Sequence, residues 1–457
     1  MELTHIKMLK PYWRLRINAP GRLRFWDAAE PFVKLIIVAA SIGLVFLALR
    51  QNVLFNWHAV NGVQENSFLR YLFFSSACIF LFSWVFRTYF WFRYRHLEVH
   101  RVGAWPTVSV IVPAYNEGAS VVDTLLYLLR IDYPKDKLDI VVVNDGSTDD
   151  TGDYIAQVSS RHPGLRVVSF PQNRGKRRAL YAGIQHSKAE IIVTVDSDTR
   201  LAADALKEIV TPLALNPRAG AVTGRIRVWN QQANIITKML KTNFAMAFDY
   251  ARAVQSSFGN VLCSSGAFTA YRAAVLRRIA GKWLHQKFLG RPCTYGEDRS
   301  LTNHFLRLGY RTLYQRTAVA YTIVPNRLIG MLKMFCRWSR SNIRESIVFA
   351  GFMFNRLRKG NRLLPFIEYF STVVLIVLHI TWFYYFLFSG LVNGNFILRL
   401  LACSVVFCSV YSLYYMRIEK STDVPYLLLF SLFSTLFMTT IFTVAGLTIT
   451  RTSWSTR

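Results

Sequence analysis

Acidic residues are scarce: 26 Asp and Glu face 55 Lys and Arg, leaving a formal charge of +29 over 457 residues. That imbalance argues against basic partners and points to anionic ones, whether nucleic acid, acidic lipid headgroups or phosphorylated small molecules. Paired cysteines are missing too. The six present (Cys78, Cys263, Cys293, Cys336, Cys403 and Cys408) form no CxxC pair and no zinc-type spacing, which removes a zinc finger or ribbon. They read as free, mostly buried thiols in a chain whose soluble part is cytosolic. No cleavable signal peptide is expected, because the first apolar run begins only after about thirty residues and lacks a small-residue cleavage site. No internal repeat or low-complexity linker stands out.

Apolar residues are abundant, at 52% of the chain, enough for one large core plus membrane segments. Residues 1–31 mix Lys7, Lys10, Arg14, Arg16, Arg22 and Arg24 with Trp13, Phe25 and Trp26. This suits a headgroup-binding interfacial segment, or a disordered basic tail. Within residues 32–92, Phe32–Leu49 and Phe68–Phe86 each approach the ~20 residues that a bilayer requires. With basic clusters before the first run and at Arg87–Arg101, the positive-inside tendency puts the N-terminus and everything after residue 92 in the cytosol. Three more apolar runs, Leu363–Phe388, Phe396–Met416 and Pro425–Ile449, occupy residues 363–449. Such runs favour the membrane over nucleic acid as the anionic partner.

Between residues 105 and 320 the texture becomes α/β. Short β-rich runs at 108–112, 139–143, 166–170 and 191–195 alternate with helical stretches. That alternation predicts a mostly parallel sheet with crossover helices, which binds ligands at the carboxyl ends of its strands. Each of those ends carries polar groups: VPAYNEG after the first run, VVNDGSTDDT after the second, QNRGKRRAL after the third and DSDT after the fourth. Two carboxylates on a rigid strand end, Asp196 and Asp198, can hold a hard divalent cation such as Mg²⁺ or Mn²⁺ through oxygen and leave room for phosphate. Lys176 offers that phosphate a point charge. The plainer reading of Asp196 and Asp198 is a helix N-cap pair for a segment starting near Leu201.

Further on, TYGEDRSLTNHF places Glu297 and Asp298 before a helical stretch, either as complement to its dipole or as a general base. Residues 321–362 read as interfacial helices. There Lys333, Arg337, Arg340 and Arg344 share one helical face, opposite Leu328, Met331, Leu332 and Phe335. Arg337 and Trp338 pair a cation for diphosphate with an aromatic plate for a sugar ring, or belong to a lipid-facing basic helix.

The order PAYNEG, VNDGSTDDT, NRGKRRAL, DSDT, GEDR and RW resembles the membrane-integrated, inverting glycosyltransferases of family 2. Within them it is most similar to the hyaluronan synthases and related chitin-type synthases, from about residue 105 to the C-terminal WSTR. The resemblance implies a GT-A type, Rossmann-like α/β domain inserted between N- and C-terminal transmembrane helices, with amphipathic interfacial helices. It also implies site roles. Ala114, Tyr115, Glu117 and Asp145 would hold the uracil and ribose of a UDP-sugar, and Lys176 its diphosphate. Asp196 and Asp198 would be the DxD pair, with Asp198 the direct ligand of Mg²⁺ or Mn²⁺. Asp298 would be the base, flanked by Glu297 and Arg299. Arg337 would neutralise departing UDP, Trp338 would stack on the acceptor sugar, and Ser264, Ser265 and Gly266 would line the acceptor side.

The chain departs from the pattern at three points. Met334 replaces the Gln of Gln-x-x-Arg-Trp, Ser264 stands where hyaluronan synthases carry cysteine, and the terminal motif is WSTR rather than WGTR. Two crossings before the catalytic region and three after it would leave residues 450–457 on the wrong side, whereas the resemblance sets WSTR near the active site. Pro425–Ile449, too short to cross twice, is therefore expected to be partly re-entrant or interfacial.

The expected activity is polymerisation of a β-linked polysaccharide from UDP-sugars, with export through the protein's own helices in the plasma or inner membrane. Hyaluronan, from UDP-GlcNAc and UDP-GlcA, is the first expectation, and a homopolymer from one donor the alternative. A non-processive transferase acting on a lipid carrier is the runner-up, and a binding or transport protein with a degenerate transferase domain belongs to a different class. The partners are the UDP-sugar, the growing polysaccharide and the bilayer. Nucleic acid has no recognition motif behind it.

Overall fold

The computed structural model describes residues 20–51, 67–356, 362–390 and 395–451. Most of the N-terminal basic segment and the WSTR tail lie outside the described residues.

Ten strands follow in chain order: β1 (Val108–Ala114), β2 (Leu138–Asn144), β3 (Leu165–Ser169), β4 (Ile191–Val195), β5 (Thr199–Leu201), β6 (Ala219–Val228), β7 (Phe268–Arg272), β8 (Lys287–Phe288), β9 (Arg291–Pro292) and β10 (Arg311–Thr322). Eight form one sheet of order β3-β2-β1-β4-β7-β6-β10-β5, and β8 pairs with β9 in a small hairpin. Strands β3, β2, β1 and β4 run parallel, while β7 is antiparallel to both β4 and β6. The central strands are near-continuous Val and Ile because helices cover both faces, and every residue of β1 and β4 is buried. Gly183 lets the Lys176–His186 helix lie directly on β1, since a Cβ there would collide with Ile111. Chain order reverses at β1, between β2 and β4, so their carboxyl ends flank the crevice where such sheets bind ligands.

Four helices among the described residues are long and apolar enough to cross a membrane: Glu30–Arg50, Leu363–Tyr385, Leu400–Glu419 and Val424–Leu447. The remaining expected crossing, Phe68–Phe86, falls within the Ser67–Arg93 helix. Phe32, Leu35, Ile36, Ile42 and Phe46 on the first helix face outward, an arrangement suited to acyl chains rather than water. Ion pairs tie the helices to each other and to the sheet. Arg87 bonds Glu368 at 3.0 Å and Thr372 at 2.6 Å. Glu419, closing the Asn395–Glu419 helix, accepts from Arg225 at 2.7 Å and from Arg227 on β6.

The last apolar run is one helical rod from Val424 to Leu447, with a π turn at Ser434–Met438. Both of its ends rest on the catalytic region. Asp423 pairs with Lys241 at 2.5 Å and Lys34 at 2.9 Å. At the other end Thr448 accepts from Arg340 at 2.9 Å, and the Arg451 carbonyl accepts from Tyr295 at 2.8 Å.

The Leu328–Phe352 helix corrects an expectation. Its predicted basic face is split: Lys333 is exposed, but Arg340 and Arg344 are buried, while Leu328 on the apolar face is exposed. The guanidinium groups turn inward because partners await them there, Thr448 for Arg340 and Glu345 with the Tyr295 carbonyl for Arg344.

Candidate active site

The ends of β1, β2 and β4 open into one cavity of about 1540 Å³. It is lined by Ala114, Tyr115, Glu117, Asp145, Lys176, Asp196 and Asp198, by Ser265, Gly266, Glu297, Asp298 and Arg299, and by Arg337 and Trp338 of the Leu328–Phe352 helix. From there it continues past Glu368 and Thr372 to Ile376, Val377 and Ile380 on the Leu363–Gly390 helix.

Asp145 is buried beneath the loop after β3, where it accepts the Arg174 amide at 2.8 Å. Burial raises its pKa, against the pull of the Arg174 and Gly175 amides and the Arg174 charge. Glu117 accepts from Ser197 at 3.0 Å, which links the loop after β1 to the DSD turn after β4. Asn116 holds that first loop in a left-handed turn, at φ 52°. The capping reading of Asp196 and Asp198 fails, since β5 follows them directly and the next helix begins only at Ala205, behind Asp204.

Lys176 is the electrostatic centre. Its ammonium lies 2.5 Å from Asp196 and 3.2 Å from Glu297. Burial opposes its charge, but Asp196 and Glu297 outweigh that cost and raise its pKa. Burial likewise opposes ionisation of Glu297, yet Lys176, aided by Arg337 and Arg177, holds it below the usual range. Asp298 goes the other way: burial and the adjacent Glu297 charge raise it, against bonds from the Arg299 and Gly266 amides. Two neighbouring carboxylates are thus driven apart, one anchored to a cation and the other poised to take a proton.

Oxygen-only donors at Asp196 and Asp198 fit a hard cation. Asp196 faces Lys176, and Asp198 accepts from Thr199 and Thr322, each at 3.3 Å. Among the described residues no group of three or more His, Cys, Asp or Glu is placed to hold a metal unaided. A cation here would complete its shell with substrate oxygens.

Arg299 spends its guanidinium on the Leu328–Phe352 helix, donating to Asn342 at 2.9 Å and Ser346 at 2.8 Å. Trp338 sits in an aromatic box with Phe244, Phe248 and Phe335, at centroid distances of 5.9, 6.2 and 5.8 Å. Met334 lines the cavity and packs with Phe335 in the sheet's core cluster. Ser264 does not reach the cavity: it is fully buried, its amide bonded to Thr302. The lining position falls instead to Cys263, whose thiol lies 3.8 Å from Asp298. Phe244, Phe248 and Arg252 also line the cavity; they belong to no motif, so nothing in their local sequence marks them.

Residues 106–341 match the family described as glycosyltransferase like family 2. An N-acetylglucosaminyltransferase of Rhizobium sp. (strain N33) is 34% identical over 247 residues, 53% of this chain and 54% of that protein. A second, from Neorhizobium galegae, is 30% identical over 311 residues, 67% of this chain and 71% of the other. The hyaluronan synthase of Streptococcus pyogenes is 36% identical over 247 residues, 53% and 58% of the two chains. The matched region thus spans little more than half the length of the Rhizobium relative. In fold, the chain is similar to the mannosyltransferase PcManGT from Pyrobaculum calidifontis, solved with GDP-Man and Mn²⁺, at a TM-score of 0.51 and 22% identity over 79% of this chain and 98% of that one. With its ordered motifs gathered on one GT-A-like sheet edge and more than half its length matched, this chain belongs to glycosyltransferase family 2.

Proposed function

We propose that this protein is a membrane-embedded, inverting glycosyltransferase that extends a β-linked polysaccharide from UDP-GlcNAc. One observation carries the reading: the donor residues, the Glu297–Asp298 pair and the Arg337–Trp338 pair share a cavity that runs on between membrane helices. A retained, lengthening acceptor requires that continuity, whereas single transfer to a lipid carrier does not.

Tyr115, Glu117 and Asp145 take the nucleoside. Lys176 and Arg337, both lining the cavity, bind the diphosphate, which is preorganised stabilisation of the charge on departing UDP. Mg²⁺ or Mn²⁺, held by Asp198 and Asp196, would neutralise the same diphosphate. Asp298 removes the proton from an acceptor hydroxyl. Trp338 holds the acceptor ring, and the β-configured product follows from attack on the face opposite UDP.

The crossing count follows from the Val424–Leu447 helix. Bonds from both its ends to the catalytic region support a reading in which it lies at the membrane surface and four other helices cross, with both chain ends on the catalytic, cytosolic side. The similarity to the streptococcal hyaluronan synthase supports a second reading, in which UDP-GlcA alternates with UDP-GlcNAc.

The test is UDP release and polymer formation by purified protein in lipid nanodiscs with Mg²⁺ or Mn²⁺. The donors are UDP-GlcNAc, UDP-GlcA, both together, and UDP-glucose. Polymer from UDP-GlcNAc alone supports the first reading, and polymer only from the pair supports the second. A single-sugar adduct would overturn processivity, and no donor-dependent UDP release would overturn the enzyme itself.

A further inference from the structure

Beside the cavity lies a buried polar chain centred on Glu345, a residue to which the site reading gives no role. This carboxylate is fully buried on the Leu328–Phe352 helix, two turns beyond Arg337. Three side chains donate to it: Gln286 at 3.0 Å, Arg344 at 3.0 Å and Asn303 at 2.9 Å. Asn303 also bonds the Glu345 carbonyl at 2.9 Å. A buried carboxylate is tolerated only with such compensation.

The partners reach the Glu297–Asp298 turn and the start of the Lys176 helix. Asn303 stands on the Glu297–Arg307 helix, whose first residues are Glu297 and Asp298. Arg344, steadied by Glu345, donates to the Tyr295 carbonyl at 2.6 Å, at the entry to the same turn. Gly296 there adopts φ 70°, and any Cβ would collide with Ser341. Gln286 accepts from Ser300 and, at 3.1 Å, from Arg177, the residue after Lys176. Trp283 completes the circuit, its carbonyl accepting from Arg177 at 2.6 Å and its indole donating to the Glu297 carbonyl at 2.9 Å.

We infer that Glu345 is a positioning residue that fixes the Arg337–Trp338 helix against the turn bearing Asp298 and against the helix bearing Lys176. The inference rests on the reading of those residues given above. Glu345 touches neither donor nor acceptor. It sets the distance between the base and the acceptor plate, so its loss should cost transfer far more than nucleotide binding, because the nucleoside residues Tyr115, Glu117 and Asp145 lie outside this network.

The experiment compares Glu345→Ala, Glu345→Gln and wild type, each full-length in nanodiscs. UDP affinity is read by calorimetry, and polymerisation is read against donor hydrolysis to free sugar. The inference expects Glu345→Ala to lose roughly 10²-fold in kcat for transfer, as a misplacement of about an ångström does. It expects UDP affinity to fall far less than transfer, since the nucleoside contacts are untouched, and a raised share of hydrolysis. Glu345→Gln keeps the acceptor for Gln286 and Arg344 but turns a donor toward Asn303, so it should fall between the two. It also remains informative should the alanine variant not fold. Unchanged transfer in Glu345→Gln and Glu345→Ala would overturn the inference. So would UDP affinity falling in step with transfer, which would make Glu345 a general scaffold residue. Absence of UDP release in wild type would instead strike the proposed function.

Discussion

The ammonium of Lys176 lies 2.5 Å from the Asp196 carboxylate, so the residue meant for diphosphate is paired within the protein itself. Both are half-buried in the cavity. The value of the pair is in placing the cation. Lys176→Ala should lower kcat/KM for the donor by roughly 10²-fold, in line with the loss of one preorganised contact. Lys176→Arg should recover part of it. Steady-state kinetics on UDP release would show this, and an alanine variant with unchanged kinetics would remove Lys176 from the mechanism.

Asp298 should set the acidic limb of the pH profile. A base works deprotonated, so transfer falls as pH drops through its pKa. Burial and Glu297 raise that pKa, so the limb should lie above the ordinary ~3.9 of aspartate. Asp298→Asn should abolish polymerisation and leave UDP binding intact. A pH–rate profile with calorimetry on the variant decides it. Polymer from the Asn variant would transfer the base role elsewhere.

Trp338→Ala should act on the acceptor. Losing an aromatic platform worth about 0.5–1.5 kcal/mol beyond its area should shorten the product and raise acceptor KM about three- to tenfold. UDP affinity should stay constant. Product sizing by gel electrophoresis, with a UDP titration alongside, separates this from a general loss of structure.

Reporters fused before Met1 and after Arg457 should face the same side of the membrane, given the surface position proposed for the Val424–Leu447 helix. Protease protection in oriented vesicles is the measurement. Opposite sides would require that helix to cross and Asp423 to leave Lys241.

The Val- and Ile-rich runs betrayed the parallel strands to within a residue or two. For β1, β2 and β4 this is because burial on both faces demands continuous apolar sequence, whereas β3 is an edge strand with three exposed residues. The strand-end motifs were equally legible, since polar groups just past such runs have few other reasons to be there. Ser264 was not: its orientation depends on the bond between its amide and Thr302, which lies 38 residues away. Arg340 and Arg344 misled for a similar reason. Helical periodicity tells which residues share a face, but here a glutamate on the same helix and two distant oxygens made the protein interior better for arginine than the headgroup layer. Arg252, Phe244 and Phe248 reach the cavity from a helical segment whose own sequence is unremarked, and only tertiary packing brings them to Trp338.

The bond between Arg87 and Glu368 has a consequence for how the chain is made. The partners are 281 residues apart, with the whole catalytic domain between them. Each lies near the end of its helix that adjoins the catalytic domain, Arg87 late in Ser67–Arg93 and Glu368 early in Leu363–Gly390. During synthesis the pair can close only after the domain and then the Leu363–Gly390 helix have been made. Joining of the N- and C-terminal membrane helices through this pair thus follows completion of the enzyme, and a truncation before Glu368 leaves Arg87 without this counter-charge.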